Sequence, residues 1–410
     1  MNDYRFQEHA PDETEGKYQA EVGYFQINHE GEKICGDVFM SKRIPEENRV
    51  LCVLSDGMGH GVRANVLATL TATISLNFSI EHQDSNEIAG IIMKALPVCS
   101  EREISYATYT IIDVSIESNT VSILEYDNPQ TLILRGHRIY EPQWAHVKHE
   151  EKLKDRRVMN IKRCSFVPRI EDRIIFCSDG ITQSGMGSGM AMGWGRNELI
   201  QFTRETVEMS PDISAADLAE RVVKRASAND LYTPKDDLTC GVVYFRQPRK
   251  AILCTGPPFN PGKDNEFAAI LKNFNGKKII SGATTTEIIA RELGRTVTDE
   301  ERFDPSLPPS STMKGIDLVT EGVLTLSKAT FILNNIGLNS RVQFGRGPAD
   351  QICRLLLDTD EIYILVGTKI NESHHDPSLS VEMEIRRHLI QRLAKVLSEK
   401  FMKVVTIEYM

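Results

Sequence analysis

The sequence predicts an α+β chain in two parts: antiparallel sheets with a few helices over residues 1–247, then a small α/β domain over 248–410. Three observations carry this. Short, closely spaced apolar runs broken by turn residues fill the first part, as in antiparallel sheets. Phe245-Arg246-Gln247-Pro248-Arg249-Lys250 then interrupts the pattern with a proline and a basic cluster, after which the rhythm becomes strand, loop, helix. Finally, 410 residues, 41% hydrophobic and 26% charged, describe a globular chain long enough for two or three domains.

The elements follow in order. Val50-Leu51-Cys52-Val53-Leu54 is a continuous apolar strand, and Arg63–Phe78 repeats Val66, Leu67, Leu70 and Ile74 at helical spacing. Glu87–Leu96 reads as a second helix. Thr108–Val114 and Val121–Tyr126 form a hairpin across Glu117-Ser118-Asn119, and Thr131–Leu134, Arg173–Cys177 and Gly241–Phe245 supply three more strands. Ser214 and Asp217 have the spacing of an N-cap hydroxyl and an acid before the apolar run Leu218, Val222, Val223. Beyond the boundary, Ala251–Cys254, Lys278–Ile280 and Glu361–Val366 read as strands, Glu287–Leu293 as a helix, and Val381–Phe401 as one long amphipathic helix. No whole-unit repeat is visible.

Charge narrows the function. With 57 acidic against 48 basic residues, a net of −9 carried almost wholly by residues 1–250, the chain lacks the basic excess of a nucleic-acid binder. The polar start Met1-Asn2-Asp3-Tyr4-Arg5-Phe6 has no secretory apolar core, and no run approaches the ~18 apolar residues of a membrane span, so a soluble, cytoplasmic protein without a membrane partner is expected. The eight cysteines are scattered, without a Cys-x-x-Cys pair, and are expected to be buried free thiols in a reducing compartment.

Two apolar strands run into the same tripeptide, Ser55-Asp56-Gly57 and Ser178-Asp179-Gly180. A carboxylate at a strand end followed by glycine offers a fixed anionic ligand and a backbone able to turn a carbonyl toward the same ion, although Asp-Gly alone is a common turn. Asp37, in Gly36-Asp37, and Asp236-Asp237 before the strand Gly241–Phe245 add acids at other strand edges. Hard divalent cations take oxygen ligands, and in the absence of His or Cys at comparable spacing this set favours Mg²⁺ or Mn²⁺ over Zn²⁺.

Gly36-Asp37, then Asp56-Gly57-Met58-Gly59-His60-Gly61 before a helix, Asp179-Gly180 after a strand and Asp236-Asp237-Leu238-Thr239 before a strand, in that order, resemble the metal-dependent PPM serine/threonine phosphatases, most closely their SpoIIE-like bacterial branch. The resemblance covers about residues 20–246. It implies two packed antiparallel sheets flanked by helices, with two Mn²⁺ or Mg²⁺ ions at one edge of the sandwich. Carried over, Asp56 bridges both metals, the Gly57 carbonyl binds one, Asp179 and Asp236 complete the other, and Asp37 reaches a metal-bound water; of Asp236 and Asp237, the first aligns with the family's ligand. The implied reaction is hydrolysis of phosphoserine or phosphothreonine on a partner protein by metal-activated water, in line and without a phospho-enzyme. An anti-sigma-factor antagonist is the family-based substrate, and a homodimer the candidate assembly. A catalytically weak partner-binding module of the same fold and a small phosphate-ester hydrolase are the alternatives.

Met58 stands where eukaryotic-type members carry a histidine, a departure shared by SpoIIE-like members. His60 is the candidate proton donor to the leaving group, weighed against a surface or helix-capping histidine. Lys33 and Arg63 are the candidates for a phosphate anchor. Gln183–Gly195, with five glycines and three methionines, reads as a mobile flap for a protein substrate or a loop without a role. The helix at Arg63–Phe78 begins just after the proposed metal turn, so that a shift of it would make or break the site.

The second part is quieter, and a regulatory or docking role is its working assignment. Ser281-Gly282-Ala283-Thr284-Thr285-Thr286 offers hydroxyls and amides at a helix start, read first as an ordinary capped turn and second as an anion site. Leu357-Asp358-Thr359-Asp360 precedes its strand and so does not fit a haloacid-type phosphatase, whose acids follow the strand; His374-His375 reads as an exposed pair.

Overall fold

The computed structural model describes residues 18–81, 107–147, 161–336, 344–368 and 379–410. The helix expected at Glu87–Leu96, the pair His374-His375 and Cys99 lie outside them. The chain divides into two compact units, Met1–Gln247 and Pro248–Met410.

The first unit runs β1 (Gln19–Ile27), β2 (Asp37–Ile44), β3 (Arg49–Gly57), α1 (Gly61–Ile80), β4 (Ala107–Ser115), β5 (Thr120–Tyr126), β6 (Leu132–Arg135), β7 (Arg138–Ile139), β8 (Ala145–His146), β9 (Ile161–Phe166), β10 (Asp172–Cys177), α2 (Asp179–Gln183), α3 (Gly195–Met209), α4 (Ala215–Asn229) and β11 (Leu238–Arg246). These strands form two antiparallel sheets, ordered β1-β11-β10-β6-β7 and β2-β3-β4-β5-β9-β8. The expected hairpin is β4–β5, with Ser115 opposite Thr120 and Asn119 in the left-handed region at φ 50°.

The strands look continuously apolar because both faces of each sheet are covered. Along β11, Val243 and Phe245 join Val50, Cys52, Leu54, Ile112 and Phe176 between the sheets, while Leu238, Cys240, Val242 and Tyr244 meet Leu218, Val222 and Val223 of α4 on the outer face. The period of two thus divides each strand between two cores. Gly23 lets β1 approach α4, since a Cβ there would lie 2.2 Å from the Ala216 nitrogen. Ser214 caps α4 as expected, accepting from the Asp217 N–H at 3.1 Å.

Helix α1 departs from its sequence reading. Its buried stripe is Ala64, Ala68, Thr71, Ala72, Ser75 and Ser79, whereas Val62, Val66 and Leu70 are exposed. Small side chains face the sheet because the helix lies almost on β3: a Cβ at Gly57 would fall 2.1 Å from the Ala64 carbonyl oxygen. The seven described cysteines are free and buried, and no described helix is long and apolar enough to cross a membrane.

Glu125 on β5 is 3% exposed and accepts the Thr131 N–H at 2.7 Å. Burial pushes its carboxyl up to about 7. The folded state therefore holds this proton more tightly than the unfolded chain, so stability is intact below about pH 4.5 and falls as pH rises through about 7. Glu125→Gln should remove a loss of roughly 3 kcal/mol across that window. Urea titrations at pH 5 and 8 check it, and equal pH slopes for both proteins would contradict it.

The second unit comprises β12 (Lys250–Thr255), α5 (Asp264–Asn273), β13 (Lys277–Ser281), α6 (Ala283–Leu293), β14 (Val297–Asp299), β15 (Ser311–Met313), β16 (Ile316–Thr320), α7 (Val323–Asn335), α8 (Pro348–Leu357), β17 (Glu361–Val366), α9 (Leu379–Lys395) and β18 (Val404–Tyr409). One sheet, ordered β14-β15-β16-β13-β12-β17-β18, has five parallel strands and an antiparallel edge formed by β14 and β15. The expected single helix to Phe401 ends at Lys395; a π-turn at Val396–Lys400 follows and the chain returns as β18. The expected turn at Ser281–Thr286 is largely the first turn of α6, which begins at Ala283.

Candidate metal and catalytic site

Antiparallel pairing brings the first two acids together. Asp37 opens β2 directly opposite Asp56 near the end of β3. The third and fourth arrive on the other sheet, where β10 ends beside the turn that feeds β11. The Ser178 N–H donates to the Thr239 carbonyl at 3.0 Å and the Thr239 N–H to Ser178 Oγ at 3.1 Å. This fixes Asp179, the first residue of α2, against Asp236-Asp237. Gly180 permits the contact, because a Cβ there would lie 2.3 Å from the Asp237 carbonyl oxygen.

The carboxylates share one electrostatic environment. Burial first, and then the charges of Asp37, Asp179 and Asp236, hold the Asp56 carboxyl well above the usual range. Asp37, 2% exposed, is pushed up to about 8, chiefly by burial, with Asp237 and Asp236 adding to the rise and the hydroxyls of Thr239 and Ser178 opposing it. Burial and the charges of Asp179 and Asp237 lift Asp236 to about 6. Structural carboxylates are ordinarily neutralised by a base or by several donors. Here Asp37 Oδ2 and Asp237 Oδ2 are buried without a hydrogen-bond partner.

Asp236 and Asp237 differ in their surroundings. Asp237 is 2% exposed, and its Oδ1 accepts the His29 N–H at 2.9 Å. Asp236 is half-buried and faces Asp179 and Asp56 electrostatically. Asp179 Oδ2 accepts from Gln183 Nε2 at 2.7 Å. His60 does not close on the acids. It is half-exposed, stacks on His29 at 4.2 Å between ring centroids, and meets Glu32 Oε1 through Nδ1 at 2.8 Å, with no side-chain hydrogen bond capping α1. His29 and Glu32 carried no sequence signal, since they sit in a polar loop and meet His60 only through the fold. Lys33 and Arg63 are exposed.

The donor set suits a hard divalent cation: oxygens alone, two of them buried and unpartnered, with the charges pressed together. Among the described residues, no group of three or more acids, imidazoles or thiols is gathered into a ready-made cage. Like charges without a counter-cation repel, and Mg²⁺ commonly takes one or two carboxylates while keeping several waters.

The sequence pattern of the family Stage II sporulation protein E (SpoIIE) matches residues 46–246. Residues 46–246 form a SpoIIE-family domain. That match takes in β3 to β11 with Asp56, Gly57, Asp179, Asp236 and Asp237, leaving Asp37 just before it and the second unit beyond it. The chain is also 24% identical over 109 residues to the phosphoserine phosphatase RsbX of Bacillus subtilis (strain 168), a match covering 27% of this chain and 50% of that one. It thus spans about half the length of this curated relative. The SpoIIE-family domain is similar in structure to the phosphatase domain of the cell fate determinant SpoIIE from Bacillus subtilis, at 16% identity and a TM-score of 0.43, over 57% of this chain and 94% of that one. RsbX in complex with magnesium gives 16% identity and a TM-score of 0.39, over 56% and 99% of the two chains.

The segment Gln183–Gly195 winds through a series of left-handed glycines. Gly185, Gly187, Gly189, Gly193 and Gly195 all have positive φ, the region that favours glycine. The Gly185 N–H donates to Asp230 Oδ1 at 2.7 Å, the Trp194 N–H to the Ser184 carbonyl at 2.8 Å, and Lys235 Nζ to the Met186 carbonyl and Ser188 Oγ at 2.8 and 2.9 Å. These bonds tie the loop to Lys235, the residue next to Asp236, and leave Met192 exposed.

Proposed function

We propose that the first unit is a metal-dependent protein-serine/threonine phosphatase of the SpoIIE type, acting in bacterial signalling on a phosphoprotein. The observation that carries the reading is the convergence of four separate segments on one acidic field, in which the carboxyls of Asp37, Asp56 and Asp236 are raised and the charge of Asp179 adds to the rise at Asp56 and Asp236. Asp56, the Gly57 carbonyl, Asp179 and Asp236 would hold two Mg²⁺ or Mn²⁺ ions, with Asp37 and Asp237 completing the acidic lining. Bound cations of this kind supply charge stabilisation to a transferring phosphoryl group and acidify water. The chain's own part is to hold these acids rigidly through the Ser178–Thr239 bonds and the close approaches at Gly57 and Gly180, so that no reorganisation is needed during reaction.

A protein substrate is favoured by the fixed methionine-bearing loop beside Asp236, an exposed apolar surface of the kind used in adaptable recognition. An anti-sigma-factor antagonist phosphorylated on serine is the substrate we propose first, in keeping with the similarity to a phosphoserine phosphatase. His60, held by Glu32 and stacked on His29, remains the candidate proton donor to the leaving group.

The deciding measurement is hydrolysis of an aryl phosphate and of a phosphoserine protein with Mn²⁺, with Mg²⁺ and with chelator. Activity should need the metal and should fall at least about a hundredfold in Asp179→Asn. A wild type inert under every metal condition would leave the partner-binding module as the better reading. Activity on the aryl phosphate alone would favour a small-ester hydrolase.

A further inference from the structure

The second unit repeats one device on neighbouring strands. β13 and β16 are parallel, with Ser281 opposite Thr320, and each runs through a glycine into a helix. Ser281-Gly282-Ala283-Thr284-Thr285 leads into α6 and Glu321-Gly322-Val323-Leu324-Thr325 into α7, so each helix has glycine at its N-cap and threonine at its third position. Neither N-cap supplies a side-chain hydrogen bond to the first turn. The two helix starts also touch, since a Cβ at Gly322 would meet the Gly282 Cα at 3.4 Å. Two positive helix ends therefore converge at the carboxyl edge of a parallel sheet, where open α/β folds take their ligands.

Helix ends alone do not make a site; the buried side chains beside them point to a ligand. Thr325, in the first turn of α7, is fully buried, and its Oγ1 has no hydrogen-bond partner. Two other helical threonines in this unit are satisfied: Thr286 donates to the Gly282 carbonyl and Thr330 to that of Leu326. Glu321 Oε2, immediately before Gly322, is likewise buried and unpartnered. The strand-end hydroxyls beneath are already used: Thr320 Oγ1 donates to Ser281 Oγ at 3.2 Å, and Ser281 Oγ to the Glu321 carbonyl at 3.0 Å. What remains is a hydroxyl donor and two helix starts suited to an anion, next to a carboxylate that requires a hydroxyl or other donor.

We propose that this edge binds a phosphate ester carrying free hydroxyls, a nucleotide or a sugar phosphate. Its phosphoryl oxygens take the first-turn amides of α6 and α7 and the Thr325 hydroxyl, and a ligand hydroxyl donates to Glu321. Inorganic phosphate lacks that second group and meets the Glu321 charge unrelieved.

Isothermal titration calorimetry on the full chain in chelating buffer tests this with adenosine 5′-monophosphate, ribose 5-phosphate and inorganic phosphate. A single molecule of one or both esters should bind per chain, more tightly than inorganic phosphate. Binding of the sugar phosphate alone assigns that source, and binding of the nucleotide alone assigns the other. Thr325→Val should weaken the ester roughly tenfold or more, while Thr325→Ser, which keeps the hydroxyl, stays within about threefold of wild type. Thr325→Val should also raise the Tm of the ligand-free protein, because it removes a buried hydroxyl without a partner. No heat from any probe, equal affinity for inorganic phosphate, or an unchanged affinity in Thr325→Val would each overturn the proposal.

Discussion

Asp56→Asn is expected to lower phosphatase activity at least about a thousandfold and, in the same protein freed of metal, to raise its melting temperature at pH 8. The two effects share one cause. Burial and the charges of Asp37, Asp179 and Asp236 hold the Asp56 carboxyl well above its usual range, so its ionised form is costly unless a cation stands beside it. A carboxyl raised in the folded state binds its proton more tightly there than in the unfolded chain. The metal-free protein therefore keeps its stability below about pH 4 and loses it as pH climbs toward the value of about 8 reached by Asp37. Asparagine cannot ionise, so the variant should lose less stability over that window. With Mn²⁺ present the order should reverse, since the ion stabilises only a folded protein that can bind it. Thermal melts at pH 5 and 8, with metal and with chelator, separate these cases. A variant that is less stable than wild type in chelator at pH 8 would make Asp56 a structural residue.

The acids themselves were legible in the sequence because each closes an apolar strand or opens one, a position that a solvated turn does not need. Their convergence was implied only by the family resemblance and not by any local pattern, since it depends on strand order: β2 pairing with β3, and β10 with β11, joins residues that sequence separation keeps apart. The same distinction explains α1. Apolar spacing at Val66, Leu67, Leu70 and Ile74 marked a helix correctly, but its fully buried stripe is set by how closely the helix lies on Gly57 and is made of small residues, with Ile74 packing only at its border. Strands β1 and β2 went unread because their half-exposed residues weaken the alternation, and β14 and β15 because they are short and polar. His29 and Glu32 illustrate the remaining blind spot. A backbone N–H to Asp237 and a carboxylate on His60 are contacts between loops, and no local pattern encodes them.

Gly57→Ala tests whether that closeness of helix and strand holds the site together. The added Cβ would stand 2.1 Å from the Ala64 carbonyl oxygen and 2.9 Å from its Cα, both backbone atoms of α1. No rotamer relieves a clash with backbone, so either α1 moves outward or β3 bends at its end, displacing Asp56 and the Gly57 carbonyl together. Overpacking of this kind typically costs about 1–3 kcal/mol and at a backbone contact is expected at about 3 kcal/mol or more. Gly59→Ala is the matched comparison. Gly59 has φ +90° but nothing within 4 Å of a Cβ, so its cost is backbone strain alone, about 1–2 kcal/mol. Urea midpoints should rank Gly57→Ala well below Gly59→Ala. Mn²⁺ titration of whatever fraction of Gly57→Ala folds should show metal affinity lost, while Gly59→Ala retains it. Wild-type affinity in Gly57→Ala would mean that the position of α1 does not govern the acidic site, and the role proposed for that helix as a control element would fall with it.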